Sequence, residues 1–230
     1  LPASQVETIH NWALQELLAD DPAPMANAFR ARHRLGDRFV VTYSGNIGAG
    51  HCFGAVLDAA ERLLPRDDIR FVLIGEGVRR QAVADAVGSR SLSNVMMLPP
   101  TAREELPLSL GAANAHLVTM RDGTEGLLMP SKLYGILAAA RPVLFVGPEA
   151  SEVARIVAEG ACGEVFSTRD GAGLARTIAA WADAPEEAAI RGQAARRVLD
   201  GAFGRERAVD RYEALLFGPS GAHAAVGGGR

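Results

Sequence analysis

Phe39-Val-Val-Thr-Tyr-Ser-Gly-Asn-Ile-Gly-Ala-Gly50 joins a run of strand-forming residues to a glycine-rich loop. Such a run, bounded by glycine, has the pattern of a strand covered on both faces. From about His51 to Leu64 the sequence reads as a helix. Strand, glycine loop and helix form the first half of a nucleotide-binding unit, because glycine lets the backbone turn tightly and approach a phosphate closely. The spacing is not Gly-x-Gly-x-x-Gly, so the dinucleotide fingerprint is absent.

The alternation continues outward. Arg70–Gly75, Asn94–Pro100, Ala115–Met120, Val143–Val146 and Gly160–Phe166 read as five further strands. Between and after them the expected helices run from Glu76 to near Gly88, Arg103–Leu110, Lys132 to about Ala140, from a cap at Ser151, Gly173–Asp183, Pro185–Leu199 and Phe203–Phe217. Upstream, Ala26–Leu35 reads as a short basic helix. Six strands alternating with helices predict an α/β fold with a Rossmann-like, doubly wound parallel sheet. Its ligand belongs at the C-terminal strand ends.

Bulk properties narrow the class. Hydrophobic residues make up 48% and charged residues 22%, as in an ordinary globular domain. The formal net charge of -3 gives no general attraction to nucleic acid. No apolar run approaches the length of a membrane span. Cys52 and Cys162 lie far apart, with neither metal spacing nor a disulfide framework, so a reducing cytoplasm is the simplest home. The chain opens on Leu1 rather than Met, as a fragment or processed product would.

Glu125-Gly-Leu-Leu-Met-Pro-Ser-Lys-Leu-Tyr-Gly-Ile-Leu-Ala-Ala-Ala-Arg-Pro-Val-Leu-Phe-Val-Gly147 reads as loop, helix start, short helix and buried strand. Ser131 is a candidate N-cap, and Pro142 ends the helix. Lys132 is the only lysine of the chain; every other basic side chain counted in the 24 Lys plus Arg is arginine. It falls in a first helical turn, where the helix dipole disfavours a cation. A cation there makes sense if an anion such as phosphate sits between it and the backbone N–H groups. The alternative is a solvated surface lysine.

Pro130-Ser-Lys-Leu-Tyr-Gly-Ile-Leu-Ala-Ala-Ala-Arg-Pro-Val143 resembles the signature of the C-terminal, donor-binding domain of retaining family-four glycosyltransferases, which have the two-domain GT-B fold. The likeness is nearest to the branch that builds bacterial surface polysaccharides, the colanic-acid-type transferases. Val6–Ala13 with its Asn-Trp, Ser44–Gly48, Leu98-Pro99, Gly160–Phe166 and Phe203–Phe217 carry it along about Val6 to Phe217. The resemblance implies a linker segment over 1–37, a nucleotide-sugar-binding domain over 38–200, a crossover helix over 201–218 and a disordered tail over 219–230. It implies transfer of a sugar, with retention, from a nucleoside-diphosphate sugar to a lipid-linked or saccharide acceptor. No cofactor and no metal are implied, and no Asp-x-Asp pair is present. A separate N-terminal acceptor-binding domain is the implied partner. A peripheral position on the inner face of the membrane would follow for a lipid-linked acceptor.

Carried over residue by residue, Lys132 and Glu125 are the catalytic candidates. Gly45, Asn46, Ile47, His51, Arg79, Arg80, Pro99, Gly126, Leu127, Leu128 and Ser131 are the donor-binding candidates. Backbone N–H groups of Gly126, Leu127 and Leu128 would face sugar and phosphates. The sequence departs from the family in two places. Gly135 stands where a second glutamate usually binds the ribose. The first glycine loop carries Asn46, Ala49 and Gly50 where basic residues are common, with His51 as a partial substitute. His51 reads equally as a solvent-facing helix-start residue, Arg79 and Arg80 as a solvated helix face, and Glu125 as a plain loop carboxylate. Trp12 reads as a packing residue and His116 as a core histidine. Two other functions fit the scaffold: a sugar-nucleotide epimerase, and a binding or assembly module without chemistry.

Overall fold

Each apolar run becomes a strand in the computed structural model, which describes residues 7–13 and 23–218. The strands are β1 (Phe39–Ser44), β2 (Ile69–Ile74), β3 (Val95–Leu98), β4 (Ala115–Thr119), β5 (Val143–Val146) and β6 (Gly163–Phe166). They form a single sheet in the order β3-β2-β1-β4-β5-β6, parallel at every pairing. Order reverses between β1 and β4, and the crevice outside the strand ends at such a switch point is where open α/β sheets bind ligands.

The two-residue period of the strands sorts side chains onto two faces. Phe39, Val41 and Tyr43 of β1 join Leu117, Leu144 and Val146 in one core beneath helices α2 (Gly54–Arg62) and α7 (Gly171–Asp183). Val40, Val72 and Ile74 face the other way, against α1 (Ala23–Arg32) and α4 (Leu106–Ala112). On the same side, Val118, Val143 and Phe145 meet α5 (Lys132–Ala138), α6 (Glu152–Glu159) and α8 (Pro185–Ala202). Helix α3 (Arg80–Ser89) covers β2 through the buried Val83.

Several boundaries differ from the sequence reading, each for a local reason. Helix α2 starts at Gly54, not near His51, because the preceding residues are tied to the end of β4: Gly50 O accepts from Arg121 N–H at 2.9 Å, and His51 Nδ1 lies 2.6 Å from Thr119 O. Helix α5 ends at Ala138: Ala140 adopts a left-handed φ of 51°, and Arg141 N–H returns to Ile136 O at 3.3 Å. That is a Schellman-type stop, with Pro142 sealing it. Ser151 caps α6 as expected, its hydroxyl accepting from Ala154 N–H at 3.2 Å. Ser131 does not cap α5 through its side chain. Its own backbone is already helical, at φ −60° and ψ −21°, because Leu133 N–H turns back to Pro130 O at 3.1 Å. The expected helix over Arg103–Leu110 divides into a one-turn 3₁₀ segment, Arg103–Glu105, and α4.

The segment grouped with the linker is part of this packing from α1 onward. Phe29 and Leu35 are buried against Val40 and Val72, each contributing about 1.5–3 kcal/mol by leaving water. Arg30 fastens the arrangement, donating from Nε to Gly36 O at 3.0 Å and from Nη1 to Ala112 O at 2.5 Å. At the other end, residues 7–13 lie along α9 (Arg205–Phe217), with Glu7 paired to Arg211 at 2.6 Å and His10 edge-on to Phe203 at 5.2 Å. The expected tail over 219–230 lies outside the described residues.

Candidate functional site

Two glycine turns meet at the switch point. After β1, Gly45 at φ 141° donates its N–H to Ile74 O at 3.0 Å. After β2, Gly75 at φ 142° approaches so closely that a Cβ there would lie 1.9 Å from Gly45 O. Ile47 then bridges the loops through its backbone, donating to Glu76 O at 2.7 Å and accepting from Arg79 N–H at 3.0 Å. The side chain of Ile47 is wholly buried, so this residue splices the turns together and is removed from the ligand side. Arg79 donates from Nη1 to His51 O at 3.1 Å. Arg80 reaches Gly75 O at 3.2 Å and pairs with Glu76 at 3.3 Å. Both arginines therefore brace the glycine turns through protein partners.

Lys132 comes to the same place from the far side of the chain. A Cβ at Gly45 would lie 3.0 Å from its Cε and 3.1 Å from its Nζ. The amine is buried and has no hydrogen-bond partner among the described residues. It sits 3.5 Å from the centroid of the Tyr43 ring. Burial alone lowers its pKa from 10.5 to about 7, since desolvation disfavours the charged form. The solvated-lysine alternative is thereby excluded, and the charge-bearing group stands beside the first glycine turn as the sequence predicts. The helix end contributes less than expected, because Leu133 and Tyr134 N–H already bond to Pro130 O and Ser131 O.

A cleft of about 670 Å³ opens over this point. It is lined by Gly45, Asn46, His51, Leu128, Ser131 and Lys132 from the predicted set, joined by Ser44, His116, Tyr134 and Gly135. Trp12, which the sequence suggests is a packing residue, also lines the cleft. Ile47, Arg79, Arg80, Pro99, Glu125, Gly126 and Leu127 are not among the lining residues. Leu127 is 85% exposed. The N–H groups of Leu127 and Leu128 both donate to Thr124 O at 3.1 Å, so the expectation that they face a ligand is corrected: they close the turn of their own loop. Glu125 is half-buried in that loop and does not line the cleft.

His51 is buried rather than solvent-facing, and it precedes α2. Its Nδ1 lies 2.6 Å from Thr119 O. A carbonyl can only accept, so Nδ1 carries the proton, and the neutral ring keeps Nε2 as an acceptor. Burial first, and then the charge of Lys132, hold its pKa below the ordinary value. In the neutral state it therefore lends no positive charge to the loop, which corrects the reading of His51 as a substitute base. His116 is a core histidine as expected: it is buried, with Nε2 2.9 Å from Leu110 O and a pKa lowered by burial to about 4.

Sequence reasoning passed over Tyr43 and Thr119, which contact Lys132 and His51. Both lie inside apolar strands and read as core. The one available signal was that a buried tyrosine hydroxyl needs a partner, and it finds Asn46 O at 2.6 Å.

The same sheet and helices recur in solved structures. A crystal structure of HepE from Anabaena, in complex with UDP and glucose, superposes with a TM-score of 0.79 over 93% of this chain and 57% of that one, at 16% identity. WaaG, a glycosyltransferase involved in lipopolysaccharide biosynthesis, gives 0.71 over 94% of this chain and 58% of its own, also at 16% identity. Among curated proteins, one from Escherichia coli K12, named for a colanic acid biosynthesis glycosyl transferase, WcaI, is 30% identical over 51% of this chain and 28% of its own length. WbjE of Pseudomonas aeruginosa, named for a glycosyltransferase, is 29% identical over 74% of this chain and 42% of its own. The chain thus spans less than half the length of these two relatives. Residues 25–198 match the family model described as Glycosyl transferases group 1, and the chain belongs to that family.

Proposed function

We propose that this chain is the donor-binding half of a retaining glycosyltransferase of the GT-B fold. It would take a nucleoside-diphosphate sugar and serve transfer to a lipid-linked or saccharide acceptor in cell-surface polysaccharide synthesis. The observation that carries this reading is Lys132: a buried amine without a hydrogen-bond partner among the described residues, held against a glycine turn at the switch point of a parallel sheet. A buried unpaired polar group is costly, and an incoming diphosphate would supply what the amine lacks. During transfer the leaving diphosphate gains negative charge, and a fixed cation beside it lowers that barrier without a metal. The uridine diphosphate in the HepE structure supports this class of donor.

The acceptor groups belong, in this reading, to an N-terminal half, in keeping with the greater length of the relatives. No described helix is long and apolar enough to cross a membrane, and the proposed setting is the cytoplasm, at the inner membrane face where lipid-linked acceptors lie. Calorimetric titration of the chain with UDP and other nucleoside diphosphates, for wild type and Lys132→Met, tests the proposal. One diphosphate should bind preferentially, and its binding should be lost with the lysine. Equal binding by the variant would refute the role given to Lys132, and no binding by wild type would mark an assembly module.

A further inference from the structure

Among the described residues no carboxylate pairs with Lys132, so another group must fix the position of its amine. Tyr43 is the side chain in place to do so. Its ring is fully buried and wedged edge-on against Phe53 at 4.8 Å and His51 at 5.9 Å. Its hydroxyl donates to Asn46 O at 2.6 Å, which locks the ring to the glycine loop. The face of that ring receives Lys132 Nζ at 3.5 Å from the centroid. The amine also lies beside Gly45, where a Cβ would be 3.1 Å away.

We propose that Tyr43 is the positioning residue for Lys132, its ring face holding the ammonium at the Gly45 edge for the diphosphate of the donor. This deepens the donor-site reading and rests on it. A ring quadrupole attracts a cation without neutralising it. A carboxylate in the same place would bind the amine and also repel the incoming diphosphate. The aromatic face thus restrains the cation in position while leaving its whole charge for the ligand.

Because Lys132 is the only lysine, lysine labelled with ¹³C at the ε carbon gives one side-chain resonance from the full chain. In wild type and Tyr43→Phe, the ε protons should resonate upfield of free lysine, shifted by the ring current. In Tyr43→Met, where a flexible side chain fills the space, they should return to the free-lysine position. UDP affinity should stay within about twofold in Tyr43→Phe and fall about thirtyfold in Tyr43→Met, the scale of one desolvated cation–π contact. A residue that only filled the core would lower the melting temperature of both variants without separating phenylalanine from methionine in this way. An unshifted resonance in wild type overturns the proposal. So does a folded Tyr43→Met chain that binds UDP as wild type does. If Lys132→Met itself leaves UDP affinity intact, the donor-site reading fails, and the ring-shifted resonance, recorded without nucleotide, still reports the Tyr43–Lys132 contact separately.

Discussion

Replacing Lys132 by methionine should make the unliganded chain more stable while removing its affinity for nucleoside diphosphate. Burial lowers the amine from 10.5 to about 7, and at roughly 1.4 kcal/mol per pH unit that gap corresponds to about 5 kcal/mol of disfavoured charge. Part of it is recovered in wild type, since the amine borders a cleft and can turn toward water, and part of the variant's gain is offset by the lost contact with Tyr43. A net stabilisation of about 2 kcal/mol raises the melting temperature of a chain this long by about 4–8 °C. The pH dependence has a definite sign. The unfolded lysine keeps its proton up to about 10.5 and the folded one releases it near 7. Between those values the unfolded state binds more protons, so wild-type stability rises with pH, and below 7 the cost is present in full. The advantage of Lys132→Met should therefore be largest below pH 7 and shrink as pH climbs toward 10. Scanning calorimetry of both proteins at several pH values, with and without saturating UDP, measures all of this. A variant no more stable than wild type at pH 7, or an advantage that grows with pH, would refute the reasoning.

Binding of UDP at pH 7 should take up about half a proton, because the half-neutral amine is charged again beside the diphosphate; binding heats in buffers of different ionisation enthalpy measure it, and uptake should fall toward zero at pH 5.5. Gly75→Ala should abolish soluble expression or cost more than about 3 kcal/mol, since its Cβ would lie 1.9 Å from Gly45 O at a φ of 142°. Gly88→Ala in α3, where a Cβ meets nothing within 4 Å, should instead add about 0.5–1 kcal/mol; urea midpoints compare the two. His116, protonated only near pH 4 in the fold and near 6.5 when unfolded, should remove about 3 kcal/mol of stability as pH falls through that window, and His116→Gln should show a smaller loss in acid titrations followed by circular dichroism.

How far the sequence carried depended on whether a feature was local. Phe39–Ser44 and Val143–Val146 match the observed strands residue for residue, because apolar runs bounded by glycine and proline leave no competing register. Lys132 was legible because an isolated lysine in an arginine-only chain breaks its own pattern. Leu127 and Leu128 were misread because their N–H groups are consumed by Thr124 O, a turn that no motif announces. The lowered basicity of His51 is not legible in the sequence because its causes, burial and the nearby Lys132, come from segments distant in the chain. Tyr43 was invisible for the same reason: its ring acquires a role only when β1 and the start of α5 are brought side by side.

The choice of lysine at position 132, in a chain that otherwise uses arginine throughout, follows from the shape and chemistry of the slot. The Tyr43 ring and Gly45 both lie close to the amine, which leaves room for a compact ammonium. A planar guanidinium is wider and keeps its proton at any accessible pH, so arginine would have to bury a permanent charge or swing out into the cleft. Lysine can shed its proton while the site is unliganded and regain it when a diphosphate arrives. The same two constraints account for the glycine at 45, where any Cβ would press on the lysine stem, and for the lack of an acid partner among the described residues, since a carboxylate would hold the proton and repel the ligand. Lysine, glycine and tyrosine therefore form one device in which changing any member alone removes the reason for the other two.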